Sequence, residues 1–185
     1  VGRVVAAGAS VRRVAVGDRV GVGWYASSCM ACAECLAGDA HLCSRATETI
    51  VGRHGGFAER VRLHWLWATP LPAGLDFAGA GPLFCGGITV FSPIVEFGVR
   101  PTDRVAVLGI GGLGHLAVRF LRAWGCEVTA ITSTAAKAPA VRELGAHEVV
   151  SLDDPAGLKR CARRFDFLLV TANASLPWND LLATL

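Results

Sequence analysis

Hydrophobic and polar positions alternate in two different ways along the chain, and the change falls near residue 101. Before it, short apolar runs separated by glycine and proline predict antiparallel strands over residues 1–7, 11–14, 19–22 and 55–63. After it, the pattern predicts strands over 104–108, 127–132, 147–151 and 166–171, and helices over 112–124, 136–144 and 156–164. A small β body should therefore precede right-handed βαβ units with a parallel sheet.

The composition narrows the class of protein. Hydrophobic residues make up 52% of the 185 and charged residues 18%, which excludes a disordered chain of low hydropathy. Residues 77–95 form an uncharged run as long as a membrane span, but glycine and proline interrupt it repeatedly, so we expect it inside the protein and no membrane partner. No signal segment opens the sequence, which favours a cytoplasmic location. The net charge is +3 and the arginines are dispersed, so no nucleic-acid partner is expected.

Four closely spaced cysteines follow the first predicted strands: Cys29, Cys32, Cys35 and Cys43. Four thiolates at this spacing can form a tetrahedral site, and a structural zinc ion favours sulfur ligands. Disulfide bonds are one alternative, which a cytoplasmic location disfavours. An iron–sulfur cluster is another, but the ferredoxin pattern has three residues before its fourth cysteine and a proline after it, whereas seven residues and Ser44 occur here. The spacing favours a structural zinc site.

A glycine-rich turn lies between the predicted strand 104–108 and the predicted helix 112–124. Gly109 would make the tight turn, Gly111 would let the backbone approach a pyrophosphate, and Gly114 would let the helix pack on the strand. The start of the helix, with Gly112 and Leu113, would supply N–H groups and partial positive charge for the anion. The segment therefore predicts a dinucleotide site; the alternative is glycines that serve only the turn.

The end of the next predicted strand indicates which dinucleotide is bound. An NAD site places an acidic residue about 20 positions after the glycines, on the ribose 2′-hydroxyl. This sequence has no acid there and carries Ser133, Thr134 and Lys137 instead. Hydroxyls and an ammonium suit a 2′-phosphate, which a carboxylate would repel, so NADP is favoured over NAD. A solvated Lys137 without a binding role is the alternative.

Four motifs occur in the order seen in zinc-dependent medium-chain alcohol dehydrogenases: the run 16–24, the four-cysteine loop, Pro-Leu-Phe-Cys-Gly-Gly-Ile-Thr-Val over 82–90, and Gly-Ile-Gly-Gly-Leu-Gly-His over 109–115. Over essentially its whole length, the chain most resembles the NADP-preferring cinnamyl alcohol dehydrogenase branch. The resemblance implies an α/β architecture made of two partial domains. A GroES-like β-barrel catalytic domain would occupy residues 1–80, with its zinc loop at 29–43, and a Rossmann NADP-binding domain would occupy 81–185.

The resemblance also implies a reaction, namely hydride transfer between NADP(H) and a primary alcohol or aldehyde. Cys85 matches a catalytic zinc ligand of the family, although Phe84 and Gly86 replace the usual Leu and Ala. Thr89 matches a position near the nicotinamide ring. The other catalytic zinc ligands would lie upstream of Val1, so we expect the chain to be a fragment that is inactive alone, and the full-length protein to be a homodimer.

Two other interpretations stay open. One is an NADPH-dependent quinone or enone reductase of the same fold, although such relatives generally lack the four-cysteine loop. The other is an interaction module that is stabilised by zinc and has no catalytic activity. This interpretation stays open because the chain alone completes neither the catalytic zinc site nor the nucleotide domain. A cysteine and a Gly-His-Glu segment upstream would favour the dehydrogenase over both.

Overall fold

The computed structural model describes residues 1–185, except for the side chain of Pro155. The chain divides into two compact units, Val1–Cys85 and Gly86–Leu185. Within the described residues, no single helix has both the length and the apolar character needed to cross a membrane. One bent pair of helical segments, Phe77–Phe84 and Gly86–Glu96, passes that test by length and composition alone.

The first unit consists of very short elements. Its strands are β1 (Gly2–Arg3), β2 (Arg19–Gly21), β3 (Tyr25–Ser27), β4 (Thr47–Glu48) and β5 (Thr69–Pro70). Its helices are α1 (Ala33–Ala37) and α2 (Phe77–Ala80), with 3₁₀ turns at Ala40–Leu42, Trp65–Trp67 and Gly81–Phe84. One antiparallel sheet has the order β1-β2-β5, and β3 pairs separately with β4.

Two strands predicted for this unit are wrong. Residues 11–14 and 55–63 form no strand, and Phe57 is fully exposed. The predicted strand over 1–7 is confined to β1. Alternation of apolar and polar residues favours an extended chain, but a strand also needs a neighbour whose N–H and C=O groups complete its hydrogen bonds. Periodicity therefore predicted more strand than the pairing supports.

Arg19 joins β2 to the segment that leads into α2. Its guanidinium donates hydrogen bonds to the carbonyl oxygens of Ala73, at 2.7 Å, and of Leu75. The same group lies over the ring of Phe77, with Cζ 4.5 Å from the ring centroid. The guanidinium of Arg19 thus binds both carbonyl oxygens and also makes a cation–π contact with Phe77. These contacts hold residues 73–77 against the sheet.

The second unit is a four-stranded parallel sheet with helices between its strands. The strands are β6 (Arg104–Leu108), β7 (Glu127–Thr132), β8 (Glu148–Ser151) and β9 (Phe167–Val170). The helices are α3 (Gly86–Glu96), α4 (Gly112–Trp124), α5 (Ala138–Glu143), α6 (Pro155–Lys159) and α7 (Trp178–Leu182). The strand order is β8-β7-β6-β9, and every pair is parallel, which confirms the predicted parallel sheet.

Burial on both faces explains the apolar run of β6. Val105 and Val107 pack in one core cluster, while Ala106 and Leu108 pack in a second one. All four are essentially inaccessible to water, as expected for a central parallel strand covered on both sides.

Two predicted helices are shorter than expected. The helix predicted over 136–144 is a 3₁₀ turn, Ala135–Lys137, followed by α5. The helix predicted over 156–164 is only α6, because the hydrogen bonds beyond it connect residues three positions apart, as from Cys161 N–H to the Leu158 carbonyl. Arg163 then adopts φ 53°, which no α-helix contains.

The order of the strands locates the ligand crevice of such a sheet. β7 and β8 lie on one side of β6, and β9 lies on the other. In open parallel sheets, ligands bind beyond the carboxyl ends of the strands where this reversal occurs. The two segments that leave β6 and β9 there are the glycine-rich turn and Thr171.

Candidate functional site

The four cysteines of the first unit form one cluster. Their Sγ atoms all lie within 4.8 Å of one another, and Cys43 is buried while the other three are half-buried. β3 and β4 close the loop at its base, and α1 and the turn Ala40–Leu42 fold within it. A tetrahedral zinc–thiolate site with bonds of 2.3 Å has sulfurs about 3.8 Å apart. The observed spacing, 3.9 Å between Cys29 and Cys35, fits such a donor set.

The cysteines of the described chain are free thiols, so the disulfide alternative is not supported. Backbone amides point at the sulfur atoms: the N–H of Cys32 donates to Cys29 Sγ at 3.3 Å, and that of Arg45 donates to Cys43 Sγ at 3.4 Å. Amide donation, chiefly from Ala31, lowers the pKa of Cys29 to about 6. Because the thiolate is the form that binds a metal, these donors favour the metal-binding form of Cys29.

The glycine-rich turn of the second unit shows why two of its glycines are needed. Gly109 has φ +90°, a conformation that favours glycine, and a Cβ there would lie 2.8 Å from Cβ of Ala172. A Cβ at Gly114 would lie only 2.0 Å from the carbonyl oxygen of Gly109. Helix α4 can therefore approach the end of β6 this closely only without a side chain at residue 114.

The next part of the turn faces open space. A Cβ on Gly111 or Gly112 would meet no atom within 4 Å, and both residues are exposed. The side chain of Leu113 packs against the core cluster of the unit, so only its backbone is available to a ligand. His115 is half-buried, with Nδ1 3.2 Å from the Gly111 carbonyl oxygen. The open backbone at the start of α4 leaves room for an anion, as a dinucleotide pyrophosphate requires.

Three further predicted residues follow β7. Ser133, Thr134 and Lys137 are all exposed, and Lys137 ends the 3₁₀ turn Ala135–Lys137. The hydroxyl of Thr132 donates to the carbonyl oxygen of Thr134 at 2.7 Å, which fixes the backbone as it leaves the strand. The structure thus leaves the hydroxyl and ammonium groups of these residues accessible at the carboxyl end of β7.

The two residues matched to the catalytic centre belong to different units. Cys85 is an exposed free thiol that ends the 3₁₀ turn Gly81–Phe84 in the first unit. Thr89 is exposed on the first turn of α3 in the second unit. Among the described residues, no group of three or more possible metal ligands includes Cys85.

Sequence reasoning missed two sets of contacts. The hydroxyl of Thr171 contacts the carbonyl oxygens of Leu108 and Gly109. The ring of Phe84 fills the space beside Gly21. A hydroxyl residue at the carboxyl end of a strand bordering the crevice was the available signal for Thr171. No local pattern indicated the contact between Phe84 and Gly21.

Two protein-family models match the chain. One, described as the alcohol dehydrogenase GroES-like domain, covers residues 1–73. The other, described as zinc-binding dehydrogenase, covers residues 112–185. The chain belongs to the zinc-binding, medium-chain alcohol dehydrogenase family. The expected fold class, a GroES-like domain followed by a Rossmann-type parallel sheet, is confirmed.

Individual relatives agree with this assignment. The aldehyde reductase AdhA of Synechocystis sp. is 54% identical over the whole chain, which covers 55% of that protein. A cinnamyl alcohol dehydrogenase structure from Sorghum bicolor has a TM-score of 0.87 at 32% identity, over 99% of this chain and 55% of its own. A Helicobacter pylori structure, described as CAD complexed with NADP(H), has a TM-score of 0.85 at 26% identity, over 97% of this chain and 53% of its own. The chain thus spans about half the length of these relatives.

Proposed function

We propose that the full-length protein is a zinc-dependent alcohol dehydrogenase that transfers a hydride between NADP(H) and a primary alcohol or aldehyde. The observation that carries this proposal is the joint presence of the four-thiol cluster and an open glycine turn at the carboxyl end of β6. A cytoplasmic location and a homodimeric full-length protein stay predictions from the sequence.

For the cofactor, we assign the pyrophosphate to the backbone N–H groups of the segment Gly109–Gly114. Ser133, Thr134 and Lys137 would bind the 2′-phosphate, since their hydroxyls and ammonium are accessible at the end of β7. The Helicobacter pylori relative, whose structure is described as complexed with NADP(H), supports the same preference. Thr89 would lie near the nicotinamide.

For the metals, we assign two separate roles. Cys29, Cys32, Cys35 and Cys43 would hold a structural zinc, which takes no part in the reaction. Cys85, as its thiolate, would be one ligand of a catalytic zinc completed by residues outside this chain. When bound, a catalytic zinc supplies Lewis-acid polarisation of the carbonyl or alcohol oxygen. The chain's own contribution there is an accessible thiol, which can bind and orient the ion.

The proposal is tested with the full-length protein and its Cys85→Ser variant. We expect the wild type to oxidise NADPH in the presence of an aldehyde, and the variant to lose turnover while it still binds NADPH. The 185-residue chain should show no turnover. Reduction of quinones or enones without a metal requirement would instead support the reductase alternative, and NADPH binding without any turnover would support an interaction module.

A further inference from the structure

The first glycine of the cofactor turn is held from both sides by the neighbouring strands. Its N–H donates to the carbonyl oxygen of Ile131 in β7 at 3.0 Å. Its carbonyl oxygen accepts a hydrogen bond of 2.5 Å from the hydroxyl of Thr171, the residue that follows β9. Gly109 therefore bridges the carboxyl ends of β7 and β9, on either side of β6.

Thr171 makes three contacts at this point. Its backbone N–H donates to the Leu108 carbonyl at 2.8 Å, which continues the pairing of β9 with β6 by one residue. Its hydroxyl lies 3.1 Å from the same oxygen and 2.5 Å from that of Gly109. Only the hydroxyl of Thr171 reaches Gly109 in the turn. The backbone pairing of β9 with β6 therefore does not by itself fix the orientation of the peptide group between Gly109 and Ile110.

The orientation of that peptide decides where the next N–H points. In a trans peptide, the C=O and the following N–H point in opposite directions. Because the Gly109 carbonyl points toward Thr171, the N–H of Ile110 points away from β9. The same carbonyl lies against Gly114, where a Cβ would approach it to 2.0 Å. Rotation of the peptide between Gly109 and Ile110 would change the direction of the Ile110 N–H. It would also change how α4 packs against the Gly109 carbonyl.

We propose that Thr171 is a positioning residue for dinucleotide binding, whose hydroxyl fixes the Gly109 peptide so that the turn presents its N–H groups to the pyrophosphate. This inference rests on the cofactor site proposed above, and it deepens that site by naming a residue outside the glycine segment. Thr171 acts through Gly109 and need not touch the cofactor itself.

The test compares three variants of the full-length protein. Thr171→Val keeps the shape and the β-branch but lacks the hydroxyl, whereas Thr171→Ser keeps the hydroxyl. Thr184→Val is the control, because Thr184, which is buried where Thr171 is half-buried, likewise donates its hydroxyl to a carbonyl in the same unit, that of Leu181 at 2.6 Å. NADPH affinity is measured by fluorescence titration, and the thermal midpoint by circular dichroism.

We expect Thr171→Val to bind NADPH about tenfold more weakly, because a tenfold change in affinity is about the free energy that one hydrogen bond contributes. Thr171→Ser and Thr184→Val should stay within about twofold of the wild type on the same scale. Equal affinity for Thr171→Val and the wild type would overturn the inference. So would equal losses in Thr171→Val and Thr184→Val that follow their thermal midpoints. If the wild type itself binds no NADPH, the proposed cofactor site fails, and the inference fails with it.

Discussion

The ring of Phe84 occupies the space where a side chain of residue 21 would lie: a Cβ on Gly21 would be 1.9 Å from Cζ of Phe84. The carbonyl oxygen of Phe84 is also close to the next glycine of this segment, 3.1 Å from a Cβ built at Gly23. Phe84 immediately precedes Cys85. Because Gly21 and Gly23 have no side chains, the chain can pass close to them at Phe84 before it reaches Cys85.

Gly21→Ala should displace the Phe84 ring and destabilise the chain by about 1 to 3 kcal/mol, as overpacking does. Alanine loses less backbone entropy on folding than glycine does, but in a strand this gain offsets only about 0.5 to 1 kcal/mol of the cost. Urea denaturation measures the change, and adding Phe84→Leu should recover part of it. Gly74→Ala is the control, because a Cβ there meets no atom within 4 Å. A Gly21→Ala chain as stable as the wild type would contradict the steric explanation.

The glycines of the cofactor turn should separate into two functional groups. Gly111→Ala should leave the thermal midpoint unchanged, since its Cβ meets no atom within 4 Å, but it should weaken NADPH binding about tenfold by filling the space assigned to the pyrophosphate. Gly114→Ala should lower the midpoint, because its Cβ would lie 2.0 Å from a backbone oxygen. Calorimetry and fluorescence titration distinguish the two effects, and an unchanged midpoint in Gly114→Ala would refute the distinction.

The four-thiol cluster should hold about one zinc ion per chain. Cys43→Ser should lose it, because Cys43 is the buried member of the cluster, and a strong chelator should unfold the loop in the wild type. Cys85→Ser is the matched control and should retain the metal. Elemental analysis measures zinc and iron together. Iron in place of zinc, or zinc retained by Cys43→Ser, would show that the assignment is wrong.

Acid should weaken the chain partly through Asp166. Its carboxylate accepts the backbone N–H of Arg104 at 2.8 Å and lies 3.4 Å from Nε of the same residue, and these contacts lower the pKa of Asp166. A group with a lowered folded pKa contributes stability above its unfolded pKa, here about 3.9, and loses it as the pH falls toward the folded value.

Urea midpoints of the wild type should therefore fall between about pH 5 and pH 2 more steeply than those of Asp166→Asn. Asp153→Asn, at an exposed turn position, serves as the control and should follow the wild type. Parallel pH profiles for the wild type and Asp166→Asn would show that Asp166 does not contribute in this way.

Cofactor preference should depend on the residues after β7. Ser133→Asp should reduce the affinity for NADPH and raise that for NADH, because a carboxylate repels a 2′-phosphate and accepts from a 2′-hydroxyl. Lys137→Ala should weaken NADPH binding about tenfold, the order of one charged hydrogen bond. Lys159→Ala removes the other lysine, on α6, and should change neither affinity. A wild-type preference for NADH would contradict the roles given to Ser133 and Lys137.

Local sequence determined the centre of the second unit almost completely. The predicted bounds of β6, α4 and β7 agree with the structure residue for residue. Each depends on short-range features: an uninterrupted apolar run for β6, helical periodicity for α4, and Gly125, with φ +111°, to end it. The four-cysteine cluster could likewise be predicted from local sequence, because all four residues lie in one loop. The structure brings their four sulfurs together.

Tertiary structure alone decided the remaining features. The contact between Thr171 and Gly109 joins residues 62 positions apart and exists because β9 pairs with β6. Residues 55–63 alternate like a strand, yet they lack the pairing that would make them one. Periodicity records which face of a segment is apolar, but it does not record which strand becomes its neighbour. Strand order and steric contacts between distant residues arise only from the packing of the whole unit.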